Sequence, residues 1–145
     1  MCGIAGYVTS NNTRVDERIL LRMRDTLSHR GPDDEGIYIS PDKHTGFAHR
    51  RLSIIDLSSQ GHQPMSNEDE TVWITYNGEI YNFKEIRHDL EEKGHVFKSN
   101  SDTESIIHAY EEYGYSCVDH LDGMFAFAIY DLKKKPFFLP ATDSE

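Results

Sequence analysis

Two cysteines in 145 residues, Cys2 and Cys117, are too few for a disulfide framework. That scarcity points to a reducing, cytoplasmic setting. Long apolar runs are also missing. The longest, Met124 to Tyr130, falls far short of the roughly 20 residues a membrane helix needs. The N-terminus lacks the basic and apolar regions of a secretory signal. Basic residues are outnumbered 25 to 15, giving a formal net charge of -10. This balance argues against nucleic acid or an anionic membrane as partner. Eight histidines occur, but none forms His-Glu-x-x-His, and the cysteines are too far apart for a Cys-x-x-Cys site. No metal site is expected. No glycine-rich phosphate loop is present, so a bound nucleotide is not indicated.

What is present reads as one α+β domain without repeats or linkers. Ile4–Val8 has the composition of a short buried strand, and Asn11-Asn12 marks a turn. From Asp16 to Leu27, apolar Ile19, Leu20, Met23 and Leu27 fall on one helical face. Gly36–Ile39 and Gly46–His49 read as a hairpin, and Ser53 to Asp69 as a long surface loop. Val72–Tyr76 is a strand ending at the turn dipeptide Asn77-Gly78. Asn82 with Glu85, and Ser101 with Glu104, carry capping-box spacing and open two further helices ending at Gly94 and Gly114. His95–Lys98 reads as a short strand and Gly123–Tyr130 as a central one. Lys133–Lys135 is a charged turn, Phe137–Leu139 a last strand, and 140–145 a frayed tail.

Cys2 is the residue with the most distinctive chemistry. Removal of Met1 would give one residue both a thiol and a free α-amine, whose ordinary pKa is about 7.7–8.0. Nucleophile and base then share one residue. Asn77 and Gly78 can supply a side-chain NH2 and a backbone N–H to a tetrahedral oxyanion, or they can simply be a turn. Arg50-Arg51 offers a guanidinium for a carboxylate, and Asp102 a carboxylate for an ammonium. Each of these also has an ordinary structural explanation as a surface cation or a first-turn acid. His29 and His49 read as structural.

Several segments together resemble the glutaminase domain of class II glutamine amidotransferases, in the branch of the glutamine-hydrolysing asparagine synthetases. They are Met-Cys-Gly-Ile-Ala-Gly (1–6), His-Arg-Gly-Pro-Asp (29–33), Ala-His-Arg-Arg-Leu-Ser-Ile-Ile-Asp (48–56) and Gln-Pro-Met (63–65). Tyr-Asn-Gly-Glu-Ile-Tyr-Asn (76–82), Ser-Asp-Thr-Glu (101–104) and Leu-Asp-Gly-Met-Phe-Ala-Phe-Ala-Ile-Tyr-Asp (121–131) follow in order. The resemblance implies a four-layer αββα sandwich, two antiparallel sheets between helices, over residues 2–139. It implies that Cys2 attacks the glutamine carboxamide, releasing ammonia and leaving a γ-glutamyl thioester, with Asn77 and Gly78 as the oxyanion hole. Arg51 would hold the α-carboxylate and Asp102 the α-ammonium. Leu52, Ile54, Ile55 and Glu79 would line the glutamine pocket, and Arg30 would support the nucleophile.

The resemblance weakens after Asp131. The family's Ala-Arg-Asp-Arg-x-Gly stretch and the Ser-Gly-Gly-x-Asp-Ser pyrophosphate loop of a synthetase domain are not in these 145 residues. The expectation is therefore a glutaminase without its synthetase domain, incomplete at the C-terminus, as a piece of a longer enzyme or a free-standing subunit. ATP and magnesium would belong to that synthetase domain, so no cofactor is expected here. The expected partners are L-glutamine and a synthetase domain or subunit that receives the ammonia. An exposed sheet edge would favour self-association. The alternatives are a catalytically silent domain that acts as a binding module, and a hydrolase of another amide. The Arg51 and Asp102 pair argues against the latter, because it fits an amino-acid head group.

Overall fold

The computed structural model describes residues 1–10, 12–53 and 59–134 in full and 137–142 as backbone. Seven strands and three helices follow in the order β1 (Gly3–Val8), α1 (Glu17–Thr26), β2 (Asp34–Ile39), β3 (Thr45–Arg51), β4 (Met65–Ser66), β5 (Val72–Ile80), α2 (Phe83–Glu92), α3 (Asp102–Tyr113), β6 (Gly123–Asp131) and β7 (Phe137–Thr142). Two antiparallel sheets result, one ordered β1-β3-β2 and the other β4-β5-β6-β7.

The layers follow from which residues are apolar on which face. Val15, Leu20 and Ala48 close the core between α1 and the first sheet. Phe47, Ala128 and Tyr130 lie between the two sheets, joined by Tyr38 stacked on Trp73 at 4.1 Å. The largest core packs α2 and α3 on the outer face of the second sheet through Ile74, Ile80, Ile86, Leu90, Ile106, Ile107 and Ile129. The succession is α1, sheet, sheet, α2 with α3, as the αββα reading requires. No helix among the described residues is long and apolar enough to cross a membrane.

Several local expectations are corrected. Ile4–Val8 does form a strand, but β1 is a sheet edge and Val8 is 47% exposed; β3 is the buried centre. On α1 only Leu20 is fully buried, while Ile19 is left half in solvent. His95–Lys98 joins no ladder. Its backbone is held instead by Glu104, whose carboxylate accepts from Lys98 N and Ser99 N at 2.7 Å each and from Ser99 Oγ at 2.6 Å. Burial alone would raise the Glu104 pKa. The His108 ring, Ser99 and these N–H groups outweigh it and bring it to about 2. Ser101 caps α3 as expected, accepting from Thr103 N, but Glu104 does not complete the box. Asn82 stands at the start of α2 without capping it. Its amide bridges His120 O and Asp122 N, fixing the entry to β6.

The strand β7 runs three residues past Leu139. The register shifts between Phe127↔Leu139 and Phe125↔Thr142, so two residues of β7 face one of β6. Pro140 falls in this bulge on an edge strand, where its missing N–H is tolerated.

The most consequential correction concerns Asn77-Gly78. The dipeptide is no turn: β5 runs on to Ile80, with Asn77 opposite Ala126 and Gly78 opposite Phe125. Gly78 has φ +157°, and a Cβ there would lie 2.3 Å from Met124 O and 2.6 Å from Phe125 Cα. Glycine is needed at this position for close approach between strands, not for reversing the chain.

Candidate active site

The site forms at one end of the sandwich, where the start of β1 and the end of β3 meet the second half of β5. The partner strand β4 is only two residues long and pairs with Trp73 and Ile74. Beyond Ile74 this edge of β5 has no neighbouring strand among the described residues. N–H groups two residues apart point to the same side of a strand. Tyr76 N donates to Gln63 Oε1 at 2.7 Å and Ile80 N to Asp102 Oδ2 at 3.2 Å. The Gly78 N–H lies between them in this alternation and faces the cavity they flank.

That cavity has a volume of about 190 Å³ and collects nearly every residue singled out in the sequence. Cys2, Arg51, Leu52, Asn77, Gly78, Glu79 and Asp102 line it, together with Gln63 and Tyr76. Ile54 and Ile55 lie outside the described residues. Arg30 lies behind the nucleophile rather than in the cavity wall. Its Nε donates to Cys2 O at 3.0 Å, fixing the backbone of that residue. The Cys2 thiol is held by Leu52, whose N–H donates to Sγ at 3.3 Å.

Strand alternation separates the two arginines. Arg50 pairs with Asp25 at 3.0 Å and Glu35 at 2.6 Å on the α1 side. Arg51 turns the other way, is 7% exposed and reaches the cavity. Its guanidinium lies against Gly61, where an added Cβ would sit 2.2 Å from Nη2. The segment expected as surface loop is thus partly interior: Gly61, Gln63 and Pro64 are buried.

The start of α3 presents Asp102 to the same cavity. Its carboxylate is 5% exposed and accepts from Tyr76 Oη at 2.6 Å as well as from Ile80 N. Burial raises its pKa above the usual carboxylate value, against the opposing pull of the Tyr76 hydroxyl and the Ile80 N–H. The same burial, with the Asp102 charge beside it, raises the Tyr76 phenol well above 10. A cavity lined by both a guanidinium and a carboxylate suits an amino-acid head group.

Asn77 completes the set. Its side-chain Oδ1 is buried without a hydrogen-bond partner among the described residues. The two ends of a carboxamide are distinguished only by their hydrogen bonds. The Asn77 side chain can therefore turn its NH2 toward the cavity it lines.

Two residues here were in quoted segments without an assigned role. Gln63 bonds Tyr76 N through Oε1 and Thr103 Oγ1 through Nε2, tying β5 to the start of α3. Tyr76 reaches Asp102. Tyr76 stands out in the sequence only as a hydroxyl within an apolar strand, and Gln63, in a polar stretch without periodicity, carries no signal at all. Behind them, His49 is buried in β3 with Nε2 3.0 Å from Tyr76 O, linking the sheets. Desolvation lowers its pKa to about 4, in keeping with a structural role.

Comparison with known proteins gives a consistent picture. A family model described as "Glutamine amidotransferase domain" matches residues 1–143. Asparagine synthetase (glutamine-hydrolyzing) 2 of Bacillus subtilis (strain 168) is 48% identical over 142 residues, covering 96% of this chain and 18% of that protein. Asparagine synthetase (glutamine-hydrolyzing) 3 of the same organism is 44% identical over 141 residues, covering 95% and 22%. Asparagine synthetase (glutamine-hydrolyzing) 1 of Arabidopsis thaliana is 44% identical over 140 residues, covering 96% and 23%. The chain thus spans about a fifth of the length of the curated relatives it matches. Among solved structures, glutamine phosphoribosylpyrophosphate amidotransferase from B. subtilis, complexed with ADP and GMP, aligns with a TM-score of 0.70 at 20% identity. That alignment covers 90% of this chain and 35% of the other, and shows the fold.

Proposed function

Given that the chain belongs to the glutamine amidotransferase domain family, we propose that it hydrolyses L-glutamine to glutamate and ammonia with Cys2 as nucleophile. The observation that carries this reading is that the Cys2 thiol, Asn77, Arg51 and Asp102 line one cavity. Arg51 takes the substrate α-carboxylate and Asp102 its α-ammonium, with Leu52 and Glu79 along the walls. This fixes the side-chain carboxamide against Cys2.

The chemistry follows from those positions. Removal of Met1 frees the Cys2 α-amine, which accepts the thiol proton as Sγ attacks the amide carbon. The Asn77 amide and the Gly78 N–H take the developing oxyanion. The tetrahedral centre collapses, its C–N bond breaks, and the amine returns the proton to the departing ammonia. Water then attacks the thioester, releasing glutamate and restoring the thiol. Arg30 acts by positioning, through its bond to Cys2 O. The ammonia serves asparagine formation or a related amidation on a synthetase domain or subunit. The names of the relatives support that assignment.

Intact-mass measurement and a glutamate-release assay, with Cys2→Ala as control, test the reading. Expected are loss of the Met1 mass and turnover that disappears in the variant. Equal glutamate release from both proteins would refute it.

A further inference from the structure

Along α3 from Asp102, two histidines and a glutamate turn ligand atoms toward one point. His108 and Glu111 share a face of the helix at i,i+3 spacing. His95, in the segment after α2, packs against them. One ligand atom from each of His95, His108 and Glu111 lies within 4.8 Å of the other two. His108 Nδ1 is 2.7 Å and His95 Nδ1 3.5 Å from the same atom, Glu111 Oε2. Zinc–ligand bonds of about 2.0–2.1 Å in a tetrahedron put neighbouring ligand atoms roughly 3.3 Å apart, a value that these two distances bracket.

The other polar atom of each side chain already faces a supporting group. His95 Nε2 meets Glu112 Oε2 at 3.2 Å, and Asn67 Nδ2 donates to Glu111 Oε1 at 2.7 Å. His108 Nε2 faces Glu104 and Glu68 at 3.6 Å each, ionic contacts too long for hydrogen bonds. Although the His108 side chain is only 2% exposed, this nitrogen has no hydrogen-bond partner among the described residues. His95 divides its nitrogens as metal-binding imidazoles do, Nδ1 toward the shared point and Nε2 toward the Glu112 carboxylate that orients the ring. Lys93 reaches Glu112, which backs His95, rather than the shared Glu111.

We propose that His95 Nδ1, His108 Nδ1 and Glu111 Oε2 bind one divalent transition ion of the zinc class, with water in the remaining position. Two imidazoles and one carboxylate suit such an ion better than magnesium or calcium, which prefer oxygen ligands throughout. The 2.7 Å contact between His108 Nδ1 and Glu111 Oε2 holds a proton in the metal-free protein, and that proton leaves as the ion enters. The bound ion ties the segment ahead of α3 to the helix that carries Asp102. The sequence expectation of no metal rested on missing short motifs. This set is spread over 17 residues, from His95 to Glu111, and forms only when the segment folds back on the helix.

The test uses the full chain in metal-free buffer, titrated with Zn²⁺ by calorimetry and with Co²⁺ by visible absorption. A Cys2→Ser background removes the accessible thiol as a competing ligand. Expected are one equivalent of Zn²⁺, Co²⁺ d–d bands without thiolate charge transfer, and a higher Tm with Zn²⁺. His95→Gln, on a partly exposed side chain, should keep the metal-free melting curve yet weaken binding about 10–100-fold or more; Glu111→Gln should weaken binding as well, while lowering the metal-free Tm through the lost His108 contact. Absence of binding at about 100 μM metal would overturn the site. So would equal affinity in His95→Gln, or binding that vanishes in Cys2→Ser while His95→Gln retains it.

Discussion

Replacing Asp102 by Asn separates charge from shape in the proposed site. The carboxylate accepts from Tyr76 Oη at 2.6 Å and from Ile80 N at 3.2 Å. An Asn carbonyl can accept both, so the start of α3 and the edge of β5 keep their geometry. What is lost is the negative charge facing the substrate ammonium. Hydrogen bonds involving a charged group contribute about 1.5–3 kcal/mol, and each 1.4 kcal/mol is about tenfold in an equilibrium constant. The glutamine KM should therefore rise about 10–150-fold. Since the ammonium is remote from the reacting carbon, ground and transition states lose the same contact and kcat should change little. Burial also raises the Asp102 pKa. The ionised form binds the ammonium, so in the wild type KM should rise as pH falls through a value above the ordinary Asp range, and in Asp102→Asn that rise should vanish. Steady-state glutamate release across acidic pH measures both effects. An unchanged KM, or a kcat that collapses at constant KM, would refute the assignment of Asp102 to the α-ammonium.

Three further outcomes follow from the same geometry. Gly78→Ala places a Cβ 2.3 Å from Met124 O at φ +157°; β5 and β6 must separate, lowering Tm by several degrees and kcat by about 10²–10³, whereas a wild-type melting curve and kcat would refute the close-approach argument. Gly61→Ala puts a methyl 2.2 Å from Arg51 Nη2 and should raise KM like an Arg51 variant with little change in Tm; an unaltered KM would remove Arg51 from the site. His49 ordinarily titrates at 6.5 and is held at about 4 by burial, so the unfolded chain takes up a proton that the folded one refuses. Its contribution is complete above pH 6.5 and falls on the order of 3 kcal/mol toward pH 4; denaturant unfolding at several pH values should show this, and His49→Gln should flatten it.

Several residues that line the candidate site could be singled out in the sequence because they are short-range chemical signals. A thiol at position 2, an amide followed by glycine, and an acid beside a helix cap keep their meaning wherever the chain places them. The errors came where a local signal met a tertiary competitor. Asn77-Gly78 has the composition of a tight turn, yet β6 pairs along its whole length and holds it in a strand. His95–Lys98 has strand composition, but its end N–H groups are taken by Leu90 O, at His95, and by the Glu104 carboxylate, at Lys98, before a neighbouring strand can pair with them. Asn82 has capping spacing, and its side chain is claimed by the backbone at His120 and Asp122. Gln63 and Gly61 sit in a stretch without periodicity, so no pattern marked them as interior. Their importance lies in what approaches them, which a one-dimensional pattern does not contain.

The interrupted pairing of β5 also makes the strand an instrument for following its own occupancy. Three amides at alternate positions share one backbone and one solvent direction but have different acceptors. The Tyr76 amide is shielded by Gln63 and the Ile80 amide by Asp102, while that of Gly78 faces the cavity. In amide hydrogen exchange, the outer two should report the integrity of the fold and the middle one the filling of the site. A ligand that slows exchange at Gly78 without changing its neighbours would be seen at the position where it binds, in a single spectrum and without a label.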